Sequence, residues 1–273
     1  MKKIFLAILM IISLASCACA AASNRQSVGV LAQLNMTESE YEAFVIDGRK
    51  NFGWNFLSSS NTETFLYYDT LLAMQLALNS REVAEVQLPE VVAEYLLKSN
   101  PAMYTVSCVS RVRTTYLAMG FLEKNTALRD RFNTALNALK ENGTLEKLRK
   151  DYIENFEENG DNPVKFTKFD GAEKIKVALT GDLPPIDFVA SNGSPRGFNV
   201  AMLAEIGRQL KVNFEISEIE AIARSSSLAS GRADVIFWYK GTEDSDVQPD
   251  IPPGVILSEP YYKWNNFLHI KLK

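Results

Sequence analysis

The residues able to do chemistry are few, and they point to recognition rather than covalent catalysis. His269 is the only histidine of the chain. It sits in Phe267-Leu268-His269-Ile270 with no neighbour at metal-ligand spacing, so a strand histidine is expected and no metal. Asp182 and Glu90 are carboxylates suited to general acid or base work. No nucleophile–histidine pair accompanies them, and the sequence gives no catalytic residue and no cofactor. Arg224, near the start of a predicted helix over 221–230, can reach an anion; the plainer alternative is a solvated helix charge. Trp238 and Tyr239 close a predicted strand, where aromatics either line a site or fill core. Asp182, in Gly181-Asp182-Leu183-Pro184-Pro185, either faces a ligand or forms the turn its neighbours favour. Arg111 and Arg113 read as ion-pair partners.

The elements that must position these residues follow from periodicity. Ser27 to Leu31 reads as a short buried strand. Thr37 caps a helix, with Glu40 completing a capping box. Asp69-Thr70 caps a second helix whose Leu71, Leu72, Met74 and Leu78 recur at helical spacing. Glu82 to Leu88 is strand-like, and Val91 to Lys98 is a helix ended by Asn100-Pro101. Two strand-like runs, Met103 to Val109 and Thr115 to Phe121, are joined by 110–113. Leu128, Phe132, Leu136 and Leu139 form an amphipathic stripe. A polar linker over 157–173 is closed early by Pro163. Beyond it the chain alternates strand, turn, helix, strand, helix and strand, which implies α/β lobes with mainly parallel sheets flanked by helices.

Bulk composition narrows the class. With 47% hydrophobic and 23% charged residues, the 273-residue chain is of globular rather than disordered type. A net charge of −4 and the lack of any basic run argue against a nucleic-acid partner. Lys2 and Lys3 precede the apolar run 4–12 and then small residues, the pattern of a secretory signal over 1–22. That run is shorter than the roughly 20 residues a spanning helix needs. Leu14-Ala15-Ser16-Cys17 is similar to a bacterial lipobox, which makes Cys17 the expected lipid-anchor site; cleavage after Ala20 is the alternative. Cys108 is expected to be a small buried hydrophobe, with Cys19 as its one intramolecular alternative.

Two segments resemble one known family. The first runs KIKVALTGDLPPIDFVASNGSPRGFNVAMLAEIGRQLKVNFEI from Lys174, then SGRADVIFWYKGT and LSEPYY. It resembles the opening half of family 3 periplasmic solute-binding proteins, the type II receptors of ABC importers. Residues 65–152 resemble the closing half, carried by YYDTLLAMQLALNSREVAEVQLPEVVAEYLL and FLEKNTALRDRFNTALNALKENGTLEKLRKDYI. Both halves occur once, in inverted order. The resemblance therefore implies a two-lobe periplasmic-binding-protein-like fold of type II, circularly permuted. It puts 27–110 in lobe 2, 111–156 in the return crossing and closing helices of lobe 1, and 174–273 in the opening half of lobe 1. One covalent crossing, near Ser110 to Thr115, is expected to remain.

The resemblance also implies a ligand site in an interlobe cleft. Carried over position by position, it selects Asp182, Leu183, Arg224, Trp238, Tyr239, Lys240 and Thr242 from one lobe. From the other it selects Gln87, Glu90 and Thr37. Where the family often places an arginine for the ligand carboxylate, this chain has Asp246, with Lys240 as a point-charge substitute. Leu183 stands where the family stacks an aromatic, and Pro89 where it often has an amine-binding Asp. These departures tell against a standard α-amino acid. The expected function is an exported, monomeric solute receptor that binds a small polar or amino-acid-like ligand and docks on a membrane permease. Its alternatives are a degenerate docking or sensing lipoprotein, a cyclohexadienyl-dehydratase-like enzyme, and half-proteins completed by swapping between two chains.

Overall fold

A computed structural model describes residues 26–32, 34, 63–156, 163–243 and 251–273. The predicted Thr37 helix, Cys17, Asp246 and the linker's first part, 157–162, lie outside the described residues. The chain divides into two compact units, Met1–Thr115 with Trp264–Lys273, and Tyr116–Lys263.

In the first unit, β1 (Gln26–Leu31) pairs in parallel with β2 (Glu63–Tyr68) and with β3 (Glu85–Pro89). Helix α1 (Leu71–Asn79) starts as its sequence predicts, with Thr70 accepting the Ala73 N–H at 3.1 Å. Leu71, Met74 and Leu78 are buried while Leu72 points outward, 66% exposed. Helix α2 (Glu90–Ser99) follows β3 directly and buries Val91, Val92, Ala93 and Leu96.

The two strand-like runs from Met103 onward are one strand, β4 (Tyr104–Leu122). Ser110 to Thr114 is polar but carries the β-branched Val112 and Thr114, and nothing in it breaks an extended backbone. A second long strand, β12 (Tyr262–Leu272), pairs antiparallel with β3, setting His269 opposite Gln87. Sheet order in this unit is β2-β1-β3-β12-β4.

The second unit opens on the end of β4. Helix α3 (Thr126–Glu141) buries Phe132, Leu136 and Leu139, three of the four stripe residues. Gly143 stops it, and α4 (Thr144–Arg149) runs into a π-type turn at Lys150–Glu154. Parallel strands β5 (Lys174–Leu179), β9 (Asn213–Glu218) and β10 (Val235–Thr242) carry the sheet. Between β5 and β9 lie the small strands β6 (Asp182–Leu183), β7 (Asp187–Val189) and β8 (Pro195–Arg196), then helix α5 (Phe198–Leu210). The predicted helix over 221–230 is a 3-10 turn followed by α6 (Arg224–Ala229). Strand β11 (Val255–Leu257) pairs with β4, so the order is β9-β5-β10-β4-β11.

Two glycines set the spacing of β4 and β10. A Cβ on Gly120 would lie 2.2 Å from the Tyr239 ring, and one on Gly241 would lie 2.2 Å from Tyr116. Each glycine thus gives its place to a tyrosine of the other strand.

The chain passes between units twice, at Thr115–Tyr116 within β4 and at Lys263–Trp264 within β12. The expectation of one remaining crossing was wrong. Residues 264–273, assigned above to the same lobe as 174–263, cluster with the first unit because β12 continues onto β3.

Candidate functional site

In the second unit the site is built on the turn after β5. Gly181 leads into β6, and a buried carboxylate behind the turn holds it. Asp187 is 0% exposed. It accepts the Gly181 N–H at 2.9 Å, the Asn199 amide at 2.6 Å and the Thr180 hydroxyl at 3.5 Å. Burial pushes its carboxyl up to about 7; the Asp182 charge adds to this, and the hydrogen bonds oppose it. Tyr261, also buried, has its phenol raised well above the usual range by burial and by the Asp187 charge. Asp182, half-buried, is thus placed by a second carboxylate beneath it.

Arg224 opens α6 and is only 5% exposed, so it is not the solvated helix charge of the plainer reading. Its guanidinium carbon lies 4.9 Å from the centroid of the Tyr239 ring, and its Nε donates to the Ala221 carbonyl at 3.1 Å. Tyr239 and Leu183 are each 1% exposed. Tyr239 packs in a core cluster with Ala178, Leu228, Ala233 and Ile236. Tyr239 thus takes the core alternative of its sequence reading, and Leu183 is buried as well. Lys240 is half-buried, and Trp238 and Thr242 lie on the same strand.

In the first unit Gln87 ends β3 and Glu90 begins α2. Glu90 Oε2 accepts the Asn266 amide at 3.0 Å. Gln87 Nε2 lies 3.3 Å from His269 Nε2, within a polar row that the sequence reading missed. His269 Nδ1 is 2.7 Å from Glu85 Oε1, and its Nε2 is 2.9 Å from Ser110 Oγ. The Ser107 hydroxyl donates to Glu85 Oε2 at 2.7 Å. Burial acts to raise the Glu85 carboxyl, but the bonds from His269 and Ser107 outweigh it and hold the group below its ordinary range. The available signal was alternation: Glu85 and Gln87 share one face of β3, and a buried strand histidine needs polar partners. Cys108 is disulfide-bonded, not the small hydrophobe expected.

Two cavities among the described residues of the second unit are lined by none of the predicted residues. The larger, about 560 Å³, is bordered by Lys140, Arg149, Glu259, Tyr261, Tyr262 and Lys263. Its cations are engaged: Lys140 meets Glu259 at 3.1 Å, Arg149 meets Glu146 at 2.7 Å and Lys263 meets Glu243 at 2.5 Å. Among the described residues no group of three or more His, Cys, Asp or Glu is arranged to hold a metal, and no helix is long and apolar enough to cross a membrane.

Residues 175–245 match the family model of bacterial extracellular solute-binding proteins, family 3. The matched segment is about a quarter of the chain. It holds the turn with Asp182, the buried Arg224 and the strand with Lys240. No curated protein matches the chain. Among solved structures, the ligand-binding component of an ABC-type import system from Staphylococcus aureus is 9% identical with a TM-score of 0.44, covering 90% of this chain and 65% of its own. The periplasmic aliphatic sulphonate binding protein SsuA from Escherichia coli is 9% identical at a TM-score of 0.40, covering 92% and 65%. Immunogenic lipoprotein A from Vibrio vulnificus is 11% identical at 0.38, covering 90% and 86%. This chain thus spans less than two thirds of the length of the first two.

Proposed function

We propose that this chain is an exported solute receptor that binds a small polar or amino-acid-like molecule without turning it over and delivers it to an ABC permease. The observation that carries the reading is the family 3 match over 175–245, which encloses Asp182, Arg224 and Lys240. The physical support is preorganisation. Arg224 is stacked on a core tyrosine and anchored to its own turn, so little side-chain freedom remains to be lost on meeting an anion. Asp182 stands on a turn pinned by Asp187 and suits a cationic group. A ligand carrying both charges, or an acid with polar substituents, matches this pair better than a neutral sugar.

In this reading the chain is a circular permutation of its family. Both units share one sheet order: a parallel set running second-first-third, a strand arriving from the other unit's chain, then a fourth strand. The order repeats although the two halves are inverted in sequence. Residues 1–22 would direct export, with Cys17 as the lipid anchor.

The site is tested with Arg224→Ala and Asp182→Asn, measured by calorimetric titration against amino acids and small organic acids. Loss of one charge-assisted contact, worth about 1.5–3 kcal/mol, lowers affinity roughly 10- to 150-fold. Unchanged affinity in both variants would move the ligand away from this turn and helix.

A further inference from the structure

We infer that Ser110 is a reactive nucleophile, activated by His269 and Glu85 toward small carboxylic esters and related acyl donors. Ser110, His269 and Glu85 lie in the first unit, whereas Asp182, Arg224 and Lys240, which carry the proposed solute site, lie in the second. Three groups stand in series: Ser110 Oγ at 2.9 Å from His269 Nε2, and His269 Nδ1 at 2.7 Å from Glu85 Oε1. Both distances fall within the reach required of a nucleophile, its base and the group that orients the base.

The burial pattern separates the roles. Glu85 is 6% and His269 3% exposed, whereas Ser110 is half-buried. With its Nδ1 proton given to Glu85, the imidazole presents the Nε2 lone pair to the serine hydroxyl. Ser107 donates its hydroxyl proton to the other Glu85 oxygen, and its Oγ lies 3.1 Å from the His269 carbonyl oxygen, so the carboxylate is held from both sides. Gln87 places its amide nitrogen 3.3 Å from the same Nε2.

The step balances without a cofactor. Ser110 Oγ attacks the ester carbonyl carbon while its proton passes to His269 Nε2. The tetrahedral adduct collapses, the bond to the alcohol oxygen breaks, and the departing alkoxide takes the proton from Nε2. Water then attacks the acyl-serine by the same route, releasing the acid and restoring the hydroxyl.

The test uses a fluorophosphonate probe, whose phosphorus takes the serine oxygen and expels fluoride. The native protein is expected to form one adduct, mapped by mass spectrometry to Ser110, roughly 100-fold faster than the urea-unfolded chain. Labelling is lost in Ser110→Ala and falls to the unfolded rate in His269→Ala. If His269→Ala does not fold, the native-against-unfolded comparison of the wild-type chain decides alone. A native rate equal to the unfolded rate, or an adduct at another residue, overturns the inference.

Discussion

At the scale of single residues, the most consequential group is one the sequence reading did not select. Asp187 lies between Ile186 and Phe188, and its sequence context gave no reason to single it out. Only the fold shows that its oxygens point inward to Gly181 and Asn199. Its folded carboxyl titrates at about 7 against 3.8 for the free side chain. Between those values the folded protein holds a proton that the unfolded chain has lost. This group's contribution to stability is therefore fully present near pH 4 and is lost as pH rises through 7. The whole change is at most about 4 kcal/mol at roughly 1.4 kcal/mol per pH unit. Asp187→Asn is expected to flatten that slope in urea titrations at pH 4 to 8, with the Asn199 amide turning to offer its oxygen. A slope unchanged from wild type would contradict the titration. At Arg224 the two readings of the sequence, ligand cation or solvated charge, could not be separated, because burial depends on where Tyr239 packs. Arg224→Lys keeps the charge but loses the planar stack, and calorimetry should show an affinity nearer to Arg224→Ala than to wild type.

At the scale of elements, the local signals were strong where a cap or a stripe was present. Thr70 and the Phe132-Leu136-Leu139 stripe gave helices at their predicted places, and Gly143 ended one. Signals failed where tertiary pairing decides. The polar stretch 110–114 reads as a break, yet it is the middle of a 19-residue strand whose neighbours on either side supply its hydrogen bonds. Strand β11 has three residues and no pattern of its own; it exists because Gly120 to Leu122 offers it an edge. The Gly120–Tyr239 fit gives a direct test of this pairing. Gly120→Ala puts a methyl where the ring sits, and overpacking of this kind costs about 1–3 kcal/mol in urea unfolding. Phe132→Ala, removing a ring 0% exposed and edge-on to Phe121, should cost about 3–5 kcal/mol.

At the scale of the whole molecule, the two-unit α/β architecture with mainly parallel sheets was legible in the alternation of strands and helices and in the two family-like halves. The connections were less so. Strand β12 runs from the second unit onto β3 of the first, so the chain passes between units twice, and no local residue pattern reports that. If permutation is the right description, joining Lys273 to Gln26 by a short linker and opening the chain between 156 and 163 restores the family's order. That variant should bind the same ligand within a few-fold of the parent affinity by calorimetry. The central claim is solute binding itself. Its most direct test is a thermal-shift screen of the protein lacking residues 1–22 against amino acids, polyamines, small organic acids and sugars. A ligand at 100 times its dissociation constant stabilises by about 2.7 kcal/mol, which moves a domain of this size by several degrees. The account predicts a saturable rise for one class that carries a carboxylate. A folded protein whose melting temperature none of these classes moves would contradict it.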